Sequence, residues 1–166
     1  MKNLLILACL LLANVSFAQD AEETSLEMNE EVSSLPWLTN LEEAEKISAE
    51  KELPILIYFT GSDWCPPCVA LKKDFFETAD FAERAKGLVL VMIDYPRRLD
   101  IISEEQRAYN KKIISKYNSN KSFPKIVMVN KKGHELGKIS GYSSFNTYQD
   151  TSHHFTFVDK YVAKND

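Results

Sequence analysis

The sequence predicts an α/β domain, a four-stranded mixed sheet with helices on both faces. Three observations predict it. Residues 55–59 (ILIYF) and 88–93 (LVLVMI) are apolar throughout, as strands covered on both faces are. The stretch between them reads as helix, so the two strands form a βαβ unit and run parallel. A third apolar run, 126–129, is followed by a turn at Asn130-Lys131-Lys132-Gly133 and a return strand at 135–140, an antiparallel hairpin.

In chain order, the domain begins near Pro36-Trp37. Asn40 is a helix N-cap with Glu42 and Glu43 in the first turn, and Leu41, Ala44, Ile47 and Ser48 recur at helical spacing. This predicts a helix over 41–51, closed by Pro54. After the first strand, Gly61-Ser62-Asp63 breaks the chain and residues 66–76 read as helix. Thr78 or Asp80 caps a short helix reaching Lys86, with Gly87 as its stop. Following the second strand, Ser103 opens a helix over 103–117 whose buried face carries Ile113, Ile114 and Tyr117. Residues 146–163 read as a closing helix.

Length and composition suit one such domain with short appendages. The chain has 166 residues and is 45% hydrophobic. Its net charge is −4 and no Lys/Arg stripe is visible, which argues against a nucleic-acid partner. Residues 1–18 read as a secretory signal: Lys2, the apolar run from Leu4 to Leu12, and Ser16-Phe17-Ala18 before a cut after Ala18. Residues 19–35 carry six acids and no Lys or Arg, and read as a disordered acidic linker. The domain itself occupies 36–166. The expected location is therefore outside the cytoplasm, periplasmic or secreted.

Cleavage removes Cys9 and leaves Cys65 and Cys68. Export permits disulfides, but two cysteines separated by two residues close a loop too small to staple a fold. The same spacing suits exchange chemistry. It puts Cys68 one helical turn from Cys65, about 5–6 Å between Cα atoms, within disulfide range. Cys65 falls where a buried strand meets a helix N-terminus, where unpaired N–H groups favour thiolate. Cys65 is thus the exposed, ionisable nucleophile and Cys68 the more buried resolving thiol. Pro66 and Pro67 fit a first helical turn but remove amide donors, leaving the Cys68 N–H as the capping donor to Cys65. Fewer donors mean weaker thiolate stabilisation, which leans the couple toward reductase or isomerase rather than strong oxidase.

Strand 55–59, Trp64-Cys65-Pro66-Pro67-Cys68, Phe123-Pro124 before strand 126–129, and Gly141 together resemble the thioredoxin superfamily. The likeness extends over about residues 36–163, and Pro36-Trp37 through Trp64 looks most like its exported bacterial members. It implies a thioredoxin-like fold and thiol–disulfide oxidoreductase activity on exported proteins that carry disulfides or thiols. A separate membrane or periplasmic redox partner and no cofactor are expected, with a monomer as the default state. It also implies a cis Pro124 packed against the cysteine pair, a substrate-pairing Phe123, and a Trp64 that shields the dithiol. Two family features are absent. Tyr58 stands where a buried aspartate is usual, and Leu90 lies near the place of a lysine. Asp63, Asp74 and Glu77 are close in sequence, but none holds the family's position.

Other readings are weaker. Tyr58 reads as plain core, and Asp94 as the cap of a turn. His134, His153 and His154 read as surface residues, so no metal site is expected. The rival function is a periplasmic Cu(I)- or metal-binding carrier using the same two thiolates. Only the cysteine pair supports it.

Overall fold

The computed structural model describes residues 35–142 and 150–162. The 1–18 signal and residues 19–34 of the 19–35 linker lie outside the described residues, as do 146–149 and 163 of the expected closing helix. The elements are α1 (Leu41–Lys51), β1 (Ile55–Thr60), α2 (Pro66–Leu71) running into a π-helical turn (Lys72–Phe76), α3 (Ala79–Ala85), β2 (Val89–Asp94), α4 (Glu104–Tyr117), β3 (Lys125–Val129), β4 (Glu135–Ser140) and α5 (Ser152–Val162).

The sheet order is β2-β1-β3-β4. β1 pairs parallel with β2, Ile55 against Val89 through Thr60 against Asp94. β3 runs antiparallel to both β1 and β4. Leu38 adds one parallel bridge to Val91 on the free edge of β2.

Period-two alternation decides which core each strand residue enters. Leu56, Tyr58, Leu90, Ile126 and Met128 face Leu71, Phe75, Phe76, Phe81, Phe157 and Val158, from α2, the π turn, α3 and α5. Ile55, Ile57, Phe59, Val91, Val127 and Val129 face Leu41, Ala44, Ile113, Ile114 and Tyr117, from α1 and α4. Helices therefore cover both faces. All six residues of β1 are buried, which explains its unbroken apolar run. Trp37 seals one end by packing on Tyr58, Phe76 and Phe81.

Three caps form as the residues dictate. Asn40 accepts from the Glu43 N–H, Ser103 from Gln106 and Thr78 from Phe81. Thr78 rather than Asp80 is the cap of α3.

Four local expectations need correction. The helix expected over 66–76 stays α-helical only to Leu71; the Glu77 N–H then bonds the Lys72 carbonyl across five residues. Adjacent residues on an α-helix point about 100° apart. The wider turn lets both Phe75 and Phe76 enter the core. Gly87 is not among the glycines with positive φ, and α3 ends at Lys86 in right-handed geometry. The absence of a side chain matters there for packing, because a Cβ would stand 3.0 Å from Val162 Cγ1. The closing helix begins at Ser152, whose N–H bonds Asp150 Oδ1. Finally, His154 is no surface residue. It is 6% exposed and sits between Phe75 and Tyr142, and burial pushes its pKa down.

Candidate active site

β1 delivers the chain to a short turn at one end of the sheet. The N–H groups of Trp64 and Cys65 both reach back to the Gly61 carbonyl. Gly61 is required by close approach: a Cβ there would lie 2.4 Å from the Trp64 indole. The turn is held from β2, where the Asp94 carboxylate accepts from the Ser62 N–H (2.9 Å) and hydroxyl (2.5 Å). Asp94 therefore caps a turn, as its residue type suggests, and that turn is the one entering the cysteine pair.

Cys65 and Cys68 are joined by a disulfide with Cα atoms 5.3 Å apart, inside the expected range. Cys65 is the N-cap residue of α2, with Pro66 and Pro67 in the first turn. Cys68 is 1% exposed and Cys65 4%. The order of exposure is as anticipated, but Cys65 is not openly exposed in the bonded pair. The bond draws its sulfur toward the buried Cys68. A second expectation changes as well. The Cys68 N–H donates to the Cys65 carbonyl (2.9 Å), and the Cys65 side chain accepts no cap hydrogen bond.

The remaining candidate residues meet at the rim. The Phe123–Pro124 peptide bond is cis. Phe123 meets the Trp64 ring edge-on at 5.5 Å and stacks on Tyr95 at 6.1 Å. Trp64 Nε1 donates to the Tyr95 carbonyl (2.7 Å), which fixes the indole. Pro124 is buried, and its carbonyl accepts from the N–H of Gly141, whose φ of +85° suits glycine. Pro66 is exposed; Trp64, Pro67 and Phe123 are half-buried.

Sequence reasoning missed Tyr58. Its ring packs on Phe76, and its hydroxyl donates to the Cys68 carbonyl at 3.0 Å, so it ties α2 to the sheet directly at the dithiol. Burial pushes its pKa up to about 12, so it stays protonated and a donor. The available signal was strand parity: Tyr58 shares a face with Leu56, the face that α2 covers. Cys68's carbonyl also accepts from the Lys72 N–H, so a Tyr58→Phe change removes a second bond rather than orphaning the group. The expected loss is about 0.5–1.5 kcal/mol, read as a lower urea midpoint with unchanged slope.

The nearby carboxylates are engaged elsewhere. Asp74 accepts from the Tyr142 hydroxyl and Glu77 pairs with Lys72. Asp63 accepts from the Arg97 and Arg98 N–H groups. For Asp63 desolvation is the largest single influence and would raise its pKa. The backbone bonds from Arg98 and Arg97 outweigh it and hold the carboxyl below the usual range. Leu90 is apolar core. His134 and His153 are exposed, and among the described residues no three His, Cys, Asp or Glu side chains gather as metal ligands.

A family model described as thioredoxin-like matches residues 36–131, more than half of the chain. The chain belongs to the thioredoxin-like family. This thioredoxin-like protein is 30% identical over 145 residues to the thioredoxin-related protein DsbJ of Chlamydia pneumoniae, covering 87% of this chain and 40% of that one. It is also 30% identical over 107 residues to the disulfide bond reductase DsbH of the same organism, covering 64% and 63%. It thus spans less than two thirds of either relative. A solved structure of a DsbH oxidoreductase superposes with a TM-score of 0.65 at 25% identity, over 79% of this chain and 86% of that one. The four-stranded mixed sheet with five helices is the thioredoxin-like fold.

Proposed function

We propose that this thioredoxin-like protein is an exported thiol–disulfide oxidoreductase, acting on disulfide-bearing proteins in the reductase or isomerase direction. One observation carries the reading. Cys65 and Cys68 are joined by a disulfide at a strand-to-helix junction, with Cys65 as the N-cap residue of α2.

In the reduced protein the Cys65 thiolate attacks one sulfur of a substrate disulfide. A mixed disulfide forms, and the other substrate sulfur leaves as thiolate and takes up a proton. Cys68, losing its proton to solvent or to that thiolate, then attacks Cys65 Sγ. The Cys65–Cys68 bond closes and the second substrate sulfur is released. Two electrons pass to the substrate, and an external dithiol carried by a separate redox partner returns them. Trp64 and Phe123 frame the entrance, Pro66 and Pro67 shape the first turn of α2, and Phe123-Pro124 offers backbone to an extended substrate.

The arrangement assigned to the chain is an export signal at 1–18, an acidic linker at 19–35 and the thioredoxin-like domain at 36–166, acting in the periplasm or beyond. The relatives named Dsb support an exported role. Among the described residues no helix is long and apolar enough to cross a membrane. The two prolines and the name of the DsbH relative, a disulfide bond reductase, support the reductive direction.

Equilibration of the purified protein against a glutathione series tests this. A potential near that of thioredoxin, about −270 mV, is expected. A value near about −120 mV overturns the direction, and a pair that never exchanges with glutathione overturns the function.

A further inference from the structure

The chain between β2 and α4 contains a segment, residues 95–101, with no helix or strand, yet its first four residues, 95–98, are tied down by backbone hydrogen bonds. The Tyr95 N–H bonds the Thr60 carbonyl, and the Tyr95 carbonyl receives Trp64 Nε1. Asp63 takes the N–H groups of Arg97 and Arg98. The Arg107 guanidinium donates to the carbonyls of Pro96 and Arg98, each at 2.7 Å. A backbone held this way at 95–98 fixes where the Arg97 side chain starts and where Leu99 follows, which lowers the ordering cost of docking.

Two of those side chains stand exposed on the surface. Leu99 is 80% exposed, the most exposed large apolar residue described. The Arg97 guanidinium lies 4.7 Å over the ring of Trp64, the residue before Cys65. Arg98 is paired with Asp100, and Arg107 is spent on carbonyls. Arg97 has no carboxylate at ion-pair distance among the described residues, in a chain whose net charge is −4. Val69, 55% exposed, is a further exposed apolar residue, on the dithiol helix α2.

We infer that residues 95–101 form a rigid docking arm for the substrate chain, and that Arg97 selects substrates bearing a carboxylate within a residue or two of the cysteine attacked. Leu99 receives an apolar side chain of the same segment. The occupant is an extended stretch of a substrate protein. The choice follows from charge complementarity, because the one cation on the arm without a side-chain ion pair, facing Asp63 only at longer range, stands over the tryptophan beside the nucleophile. This rests on the oxidoreductase reading given above.

The test uses the purified protein with a dithiol donor and four disulfide substrates. Hydroxyethyl disulfide, small and uncharged, reports the dithiol alone; absence of turnover there defeats the oxidoreductase reading itself. Three peptide disulfides differ only in a Glu, Gln or Lys next to the cysteine. The expected order of kcat/KM is Glu, then Gln, then Lys, with steps of roughly two- to fivefold, the size of an exposed ion pair. The steps shrink in about 1 M salt, where the screening length is about 3 Å. Arg97→Lys keeps the order and Arg97→Glu inverts it. Equal kcat/KM for the three peptides while hydroxyethyl disulfide still turns over, or an order that survives in Arg97→Glu, overturns the arm.

Discussion

Cys65→Ser is expected to lower the rate of insulin disulfide reduction by on the order of 10³-fold or more, the scale on which losing a covalent nucleophile acts. No neighbour can substitute for it. Cys68 is the more buried of the two, and a serine hydroxyl has neither the acidity nor the sulfur affinity that exchange requires. Cys68→Ser should behave differently. Attack by Cys65 survives in that variant, but nothing resolves the mixed disulfide, so a one-to-one covalent adduct with substrate accumulates. Mass spectrometry under non-reducing conditions reads the adduct, and its mass should fall back on adding a small dithiol. The converse pattern, adducts on Cys68 in the Cys65→Ser variant at the full rate, would reverse the two roles. Both variants should keep most of the stability of the parent, because a bond across two intervening residues removes little entropy from the unfolded chain.

Phe75→Ala should have the largest effect on stability, a loss of about 3–5 kcal/mol. That is a large share of the roughly 5–15 kcal/mol that holds a domain of this size folded. Phe75 is fully buried and touches Phe76, Phe81 and Phe155 at ring separations of 4.9, 4.9 and 4.7 Å, with His154 at 5.6 Å. These partners come from the π turn, α3 and α5, so the cavity would open where three segments converge and none can collapse alone. Urea denaturation followed by tryptophan fluorescence measures the loss. A change below about 1 kcal/mol would mean that Phe75 is not the keystone of this core. The variant should also blunt exchange, since the π turn continues directly from the helix that carries Cys68.

Much of this molecule is legible before any coordinates. The strands declare themselves because a buried strand must be apolar on both faces, and three of the helices begin at capping residues whose side chains do form the bonds their chemistry offers. The cysteine pair is legible because its spacing and position are local properties of a few consecutive residues. The misreadings share one cause. The π turn arises from two adjacent phenylalanines competing for one core, and helical periodicity alone cannot register that competition. His154 is buried by Phe75 and Tyr142, residues far from it in the chain. Tyr58 earns its place only once α2 folds over its strand.

By itself, then, the sequence determined the sheet and its connections, the three capped helix starts, and the identity of the sulfur pair, all properties set by residue type and spacing over a few neighbours. Tertiary structure alone decided what surrounds that pair: the Tyr58 hydroxyl at the Cys68 carbonyl, Phe123 against Trp64, and Arg97 above the same indole. Those contacts join positions 10 to 59 residues apart. Their geometry depends on how strands register and helices pack, a condition on the whole chain that no local pattern of residues encodes.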